Sequence, residues 1–214
     1  TWVLAVKPQS LPEVCAQLAP LARTARPLVV SIAAGVSTAQ LAHWLGDGLA
    51  IVRCMPNLPA SIGAGATGLF ANAHVAADAA ARVESLLGAL GTTAWIDDEA
   101  QMDAVTGVSG TGPAYLFLLA EAMQAAAVDE GLAPETARAL IVQTLLGAAR
   151  LLAESGEAPA ELRRRVTSPG GTTEAAMAVF SAGGFVPLVG AAIAAATRRG
   201  GELAAALAST EAAT

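Results

Sequence analysis

Leu28-Val29-Val30-Ser31-Ile32-Ala33-Ala34-Gly35, followed by Val36-Ser37 and the segment Thr38–Leu45, decides the fold class. Residues 28–32 are apolar and rich in β-branched side chains. The run is too short for a helix and suits a buried strand. Ala33-Ala34-Gly35 ends it, and residues 38–45 read as a helix. Strand, small-residue turn and helix form one unit of α/β layering. The unit recurs on both sides. Upstream, residues 2–6 (Trp2-Val3-Leu4-Ala5-Val6) are a strand candidate ended by Lys7-Pro8; Ser10, Pro12 and Glu13 then predict a helix to about residue 22. Downstream, residues 50–54 form a third apolar run, broken by Met55-Pro56-Asn57. Residues 68–70 form a fourth, residues 77–90 a helix, and residues 93–96 a fifth strand stopped by Asp97-Asp98-Glu99. This alternation predicts a mostly parallel sheet with helices on its faces.

Beyond residue 112 no segment reads as a strand. Pro113 suits a helix start, with Gly131 as its end. Residues 134–154 carry apolar positions at Ala137, Leu140, Ile141, Leu145, Ala148, Leu151 and Leu152, a helical stripe. Shorter helices are predicted over 159–166 and 172–181. A final alanine-rich helix runs from 187 to 208, with Gly200-Gly201 a candidate interruption. The chain therefore divides into an α/β part, residues 1–98, and an all-helical part, residues 99–214. Small residues on many helical faces allow close helix contacts and a subunit interface, so a homo-oligomer is expected.

The 214 residues carry 12 Lys+Arg against 18 Asp+Glu, a net charge of −6, which argues against a nucleic-acid binder. With 54% hydrophobic and 14% charged residues the chain is not disordered. The mean hydropathy of +0.54 raises the question of a membrane. The uncharged run 54–77 is long enough to span one, but it holds Pro56, Asn57, Pro59, Asn72 and His74, a combination seldom found in a spanning helix. A soluble protein is expected. Cys15 and Cys54 make no disulfide scaffold and read as reduced intracellular thiols.

Gly63-Ala64-Gly65-Ala66-Thr67-Gly68 matches the spacing of a dinucleotide-binding glycine turn, but a loop precedes it and a strand-like segment follows. The motif needs a strand before and a helix after, so this match reads as a structural loop. Ser168-Pro169-Gly170-Gly171-Thr172-Thr173 is more informative. Its glycines permit a sharp turn, and a helix begins there, presenting unpaired backbone N–H groups and a partial positive charge to a carboxylate or phosphate. An ordinary capped helix is the competing reading. The glycine- and hydroxyl-rich run from Asp103 to Tyr115 is a hinge or a ligand cleft near the domain boundary. Arg163-Arg164-Arg165 reads as a solvated face or a phosphate contact. His43 and His74 have no ligand spacing, so no metal is expected, and no Ser or Cys has a recognisable His partner.

Taken in order, Ala5-Val6-Lys7-Pro8-Gln9, Ser31-Ile32-Ala33-Ala34-Gly35, Arg53-Cys54-Met55-Pro56-Asn57, the run 103–115 and Val166-Thr167-Ser168-Pro169-Gly170-Gly171-Thr172-Thr173 resemble the pyrroline-5-carboxylate reductase family over almost the whole chain. The resemblance implies a partial Rossmann-like α/β domain followed by an all-α substrate-binding and dimerisation domain. It also implies a cytoplasmic enzyme of the last step of proline synthesis, moving a hydride from NADPH or NADH to the C=N of 1-pyrroline-5-carboxylate. It places the substrate at Ser168, Gly171, Thr172 and Thr173, with Thr173 as the catalytic hydroxyl, and adds Glu99. It places the cofactor at Ala5, Val6, Lys7, Pro8, Ile32, Ala33, Ala34 and, more weakly, Asn57. Arg165 stands where some members carry a cofactor-contacting Asn. A homodimer is implied, and a decamer as the larger form. Members begin with a further strand, glycine turn and helix that bind the cofactor's pyrophosphate. Residues 2–6 correspond to a later strand, so the sequence is expected to be a fragment of a longer chain. Two alternatives stay open: a β-hydroxyacid dehydrogenase-like enzyme, which would want a lysine on the long helix where this chain has only Lys7, and a non-catalytic oligomerisation module.

Overall fold

A computed structural model describes the backbone of residues 1–211 and the side chains of residues 1–206. Five strands form one sheet in sequential order: β1 (Trp2–Leu4), β2 (Val29–Ser31), β3 (Ile51–Met55), β4 (Gly65–Ala71) and β5 (Gly91–Trp95). Three pairings are parallel, β1 with β2, β2 with β3 and β4 with β5. The fourth is not: β4 runs antiparallel to β3, with Cys54 opposite Leu69. The mostly parallel sheet holds, with this one reversal. A single helical turn, Leu58–Ile62, connects β3 to β4, and a parallel pairing would need a longer crossover. Gly65 and Gly68 lie inside β4, so the glycine pattern at 63–68 belongs largely to a strand rather than to a loop.

Side-chain alternation divides the core into two layers. Val29 and Ile51 join Leu4 on one face, under α1 (Leu11–Ala25) and α2 (Thr38–Leu45), with Leu11, Cys15, Leu41 and Leu45. Val30 and Val52 point the other way, with Cys54 and Leu69, onto Ala79, Val83 and Leu87 of α3 (Ala77–Gly88). Strands covered on both faces read as continuous apolar runs, which is why residues 28–32 and 50–54 were legible. The start of α2 is set locally. Ser37 Oγ accepts from the Gln40 N–H at 3.1 Å, and Gln40 Oε1 accepts from the Ser37 N–H at 2.9 Å, a reciprocal capping box. Ser10 stands at the start of α1, but its side chain makes no capping bond.

After β5 the described chain is helical. Helix α4 (Met102–Val105) runs into a π-helical turn, Thr106–Gly110, and then α5 (Gly112–Asp129). Helices α6 (Pro134–Ser155), α7 (Pro159–Arg165), α8 (Thr172–Ala182) and α9 (Phe185–Glu211) follow. Pro134 and Pro159 stand at helix starts, where a missing N–H is harmless. Gly156 ends α6 with φ 69°. Gly200-Gly201 does not interrupt α9.

Packing divides the molecule elsewhere than at the last strand. One compact unit is Thr1–Pro113 together with α9 from Ala192 onward; the other is Ala114–Ala191. The boundary drawn at residues 98 and 99 marks where strands stop, whereas Met102 and Gly107 are buried and belong with the sheet. The apolar stripe of α6 is largely uncovered within the chain. Ala137 and Ile141 are buried, while Leu140, Leu151 and Leu152 are exposed. By length and composition alone α6 is apolar enough to cross a bilayer.

Two tests follow from the double-layered core. Leu41→Ala, at a fully buried site, is expected to cost about 2–5 kcal/mol by urea unfolding. Burial raises the Cys15 thiol from 9.0 to about 11 and the Cys54 thiol to about 12. The unfolded chain therefore releases these protons first, and stability contributed by the neutral thiols falls as pH rises from 9 towards 12. Iodoacetamide at pH 9 is expected to label neither cysteine until denaturant is added.

Candidate active site

In the first unit the turns after β1 and β2 lie at the carboxyl ends of parallel strands, where open α/β sheets bind their ligands. The Ile32 N–H donates to the Leu4 carbonyl at 3.1 Å, holding the two turns side by side, and the Ala33 N–H donates to Ser31 Oγ at 3.3 Å within the second turn. Ala5, Val6, Lys7 and Ala34 are exposed, Pro8 and Ile32 are half-buried, and Ala33 is buried. Gly35, at φ 76°, lets the chain leave the strand and reach Ser37. Pro8 and Ala34 share a cavity of about 270 Å³. That is just below the roughly 300–1,000 Å³ of a whole ligand pocket, so it suits one end of a dinucleotide.

The floor beneath these turns is a charged cluster. Arg53, with only 7% of its side chain exposed, donates from Nη1 to Glu99 Oε1 at 3.2 Å. The same oxygen accepts the Thr38 N–H at 2.8 Å, and Oε2 accepts the Thr38 hydroxyl at 2.7 Å. Glu99 thus caps α2 as a carboxylate, well placed for the helix dipole, while neutralising a buried cation. Glu99, expected at the substrate, has both carboxylate oxygens engaged within the first unit. Asn57 is committed in a similar way. Its Oδ1 accepts the Ala66 N–H at 3.0 Å and its Nδ2 donates to the Ser109 carbonyl at 3.3 Å, joining β4 to the π-helical turn. A Cβ at Gly110 would come within 2.6 Å of Met55 Cε, the free end of a flexible side chain, which places the turn against the end of β3.

In the second unit, the segment 166–173 makes the turn its sequence suggests. Gly170 has φ 70°, and the Gly171 N–H donates to the Ser168 carbonyl at 3.0 Å. A Cβ at Gly171 would stand 2.6 Å from Ser168 Oγ, so only glycine lets that hydroxyl lie against the turn. The Ala175 N–H is the first to bond back along α8, to the Gly171 carbonyl at 3.2 Å. The N–H groups of Thr172, Thr173 and Glu174 therefore precede the helical ladder and are available to an anion. Sequence reasoning passed over Glu174, whose carboxylate accepts the Gly170 N–H at 2.7 Å and braces the turn; its place four residues on was the available signal. Ser168 and Thr172 are exposed and Thr173 is half-buried. Of the arginine run, Arg164 pairs with Glu161 and Arg165 with Glu157, both on the exposed surface. Among the described residues no three His, Cys, Asp or Glu side chains gather to hold a metal.

The class this architecture defines is a Rossmann-like α/β unit with an appended helical region. Residues 99–203 match the family model described as pyrroline-5-carboxylate reductase dimerisation. A pyrroline-5-carboxylate reductase of Pseudomonas aeruginosa is 54% identical over 202 residues, covering 94% of this chain and 74% of that protein. One of Synechocystis is 46% identical, with the same coverage. The solved structure of a pyrroline-5-carboxylate reductase from Coxiella burnetii superposes with a TM-score of 0.90 at 46% identity, over 94% of this chain and 74% of that one. That of the Plasmodium falciparum enzyme, solved with NADP bound, gives 0.86 at 29% identity, over 94% and 76%. The chain belongs to the pyrroline-5-carboxylate reductase family.

The Arg53–Glu99 cluster makes a stability prediction. Glu99→Ala leaves a buried guanidinium without its carboxylate and is expected to cost about 3 kcal/mol in chemical unfolding. Replacing both partners, Arg53→Met with Glu99→Leu, is expected to recover the part of that loss due to the unpaired guanidinium but not the part due to the Thr38 hydrogen bonds. A single-variant cost near zero would mean that the pair does not anchor α2.

Proposed function

We propose that this chain reduces 1-pyrroline-5-carboxylate to L-proline with NADPH or NADH, as a cytoplasmic enzyme of proline biosynthesis. The observation that carries the reading is the start of α8. Three backbone N–H groups precede the helical ladder there, behind a turn that Gly170 makes at φ 70°. The substrate is a small carboxylate with an imine nitrogen, and an anion-binding helix start with hydroxyls beside it suits both groups. Thr172 and Thr173 N–H receive the carboxylate, with the Ser168 hydroxyl as a further donor next to Gly171. The Thr173 hydroxyl bonds to the ring nitrogen and holds its proton, which keeps the C=N carbon electrophilic. Most of the acceleration then comes from orientation rather than from a strong acid or base.

The strand ends of the first unit fit one end of the cofactor, by their paired turns and the cavity between them. Ala5, Val6, Pro8, Ile32, Ala33 and Ala34 would hold it through backbone and packing contacts, with the exposed Lys7 ammonium available to phosphate. NAD(P)H, when bound, supplies the hydride. Asn57 acts on the site by holding the π-helical turn, and Glu99 by holding α2. The uncovered apolar side chains of the helical unit, Leu116, Leu118, Val142, Leu146, Phe180 and Val186 among them, support a homodimer built through that unit. A decamer is the larger assembly that the family resemblance implies. A subunit interface also accounts for the apolar surface of α6 without a membrane.

The test is oxidation of NADPH and NADH followed at 340 nm, with and without pyrroline-5-carboxylate. Turnover that depends on the substrate is expected. Thr173→Ala is expected to lower kcat by roughly 10²-fold with an unchanged melting temperature, and Thr173→Ser to retain most activity. Unchanged kinetics in Thr173→Ala would remove the hydroxyl from the reaction.

A further inference from the structure

Among the described residues lining the cavity at the ends of β1 and β2, Asp103 is the one with a charge. The residue is the second of α4 and half-buried; its main-chain carbonyl accepts the Thr106 N–H, but among the described residues its carboxylate has no hydrogen-bond or ion-pair partner. Its surroundings are specific. A Cβ at Gly201 would stand a tight 3.2 Å from Asp103 Oδ2 and one at Gly200 an ordinary 3.4 Å from Oδ1, so α9 passes close over the carboxylate at this pair of glycines. That helix offers it nothing in return, because mid-helix N–H groups are spent on the helical ladder. Thr106, on the same wall, turns its hydroxyl back to the Met102 carbonyl at 2.9 Å. Half-buried on a cavity wall and without a protein donor, the carboxylate is available to the donors of a ligand.

The charge says which end of a ligand belongs here. A carboxylate repels the pyrophosphate of a dinucleotide and accepts from neutral donors such as ribose hydroxyls or a carboxamide NH₂. It also favours positive charge. When a hydride leaves C4 of a dihydronicotinamide with its electron pair, and the C=N carbon takes it up, the ring changes from neutral to a cation. A fixed negative charge in a site of reduced dielectric stabilises that change.

We propose, resting on the reading of this chain as an NAD(P)H-dependent reductase, that Asp103 receives the nicotinamide–ribose end of the cofactor and biases the bound couple towards its oxidised form. Asp103 is then a cofactor contact on the first unit, with Gly201 of α9 closest over its carboxylate.

The measurement is equilibrium binding of NADPH, by its own fluorescence, and of NADP⁺, by competition, to the wild-type chain, Asp103→Asn and Asp103→Ala. In Asp103→Asn the ratio of Kd for NADP⁺ to Kd for NADPH is expected to rise about tenfold, equivalent to about 1.4 kcal/mol, with the melting temperature of the unliganded protein unchanged. Asp103→Ala is expected to raise that ratio equally and to weaken both forms further, having lost the acceptor. An unchanged ratio in both variants overturns the proposal. So does a lowered melting temperature with both Kd values raised in proportion, which would make Asp103 a packing residue. A wild-type chain that binds neither form overturns the reductase reading itself, an outcome distinct from failure of the variants alone.

Discussion

The buried guanidinium of Arg53 governs the first unit. It comes from the middle of β3 with almost no access to water, and a cation there needs a partner within reach. Glu99, 46 residues later, supplies it and in the same stroke caps α2 through the amide and hydroxyl of Thr38. Three segments distant in sequence thereby share one carboxylate. With α2 fixed at its first residue and β2 fixed in the sheet, the turn 32–37 between them has little freedom. The cavity walls contributed by Ala34 and Gly35 inherit their position from that restraint.

The helical unit is organised on other terms. Its helix boundaries are local matters of proline at the start and glycine at the end, and Ala137 and Ile141 are the buried side chains of α6. Its apolar residues are spread around the helices and face outward, so the usual sorting of apolar inside and polar outside is incomplete in a single copy of the chain. The anion-binding turn at 168–173 stands on this unit and depends on local backbone geometry, braced by Glu174. The cofactor-facing turns, by contrast, depend on long-range pairing within the sheet.

What the sequence made legible follows that division. Strands buried on two faces announce themselves as apolar β-branched runs, and the helix starts carry proline and capping residues within four positions of one another. The reversal of β4 was not legible, because strand direction is set by the length and path of the connection rather than by the strand's composition. Nor was the commitment of Glu99 and Asn57, whose partners lie 46 to 61 and 9 to 52 residues away. Gly200-Gly201 misled in a related way. Two glycines weaken a helix by about 1 kcal/mol each, which reads locally as a break. In the fold α9 runs through them unbroken, packed close over the Asp103 carboxylate.

Lys7 is the one lysine of the sequence, exposed in the turn after β1 and adjacent to Pro8 of the cavity wall. Every other side-chain cation except histidine is an arginine, which acylating reagents do not modify. Amine-selective chemistry therefore has a single side-chain address in this molecule, beside the strand ends. A fluorophore or cross-linker attached there would act as a reporter for that cleft, without a cysteine having to be engineered into a core that already buries both of its own.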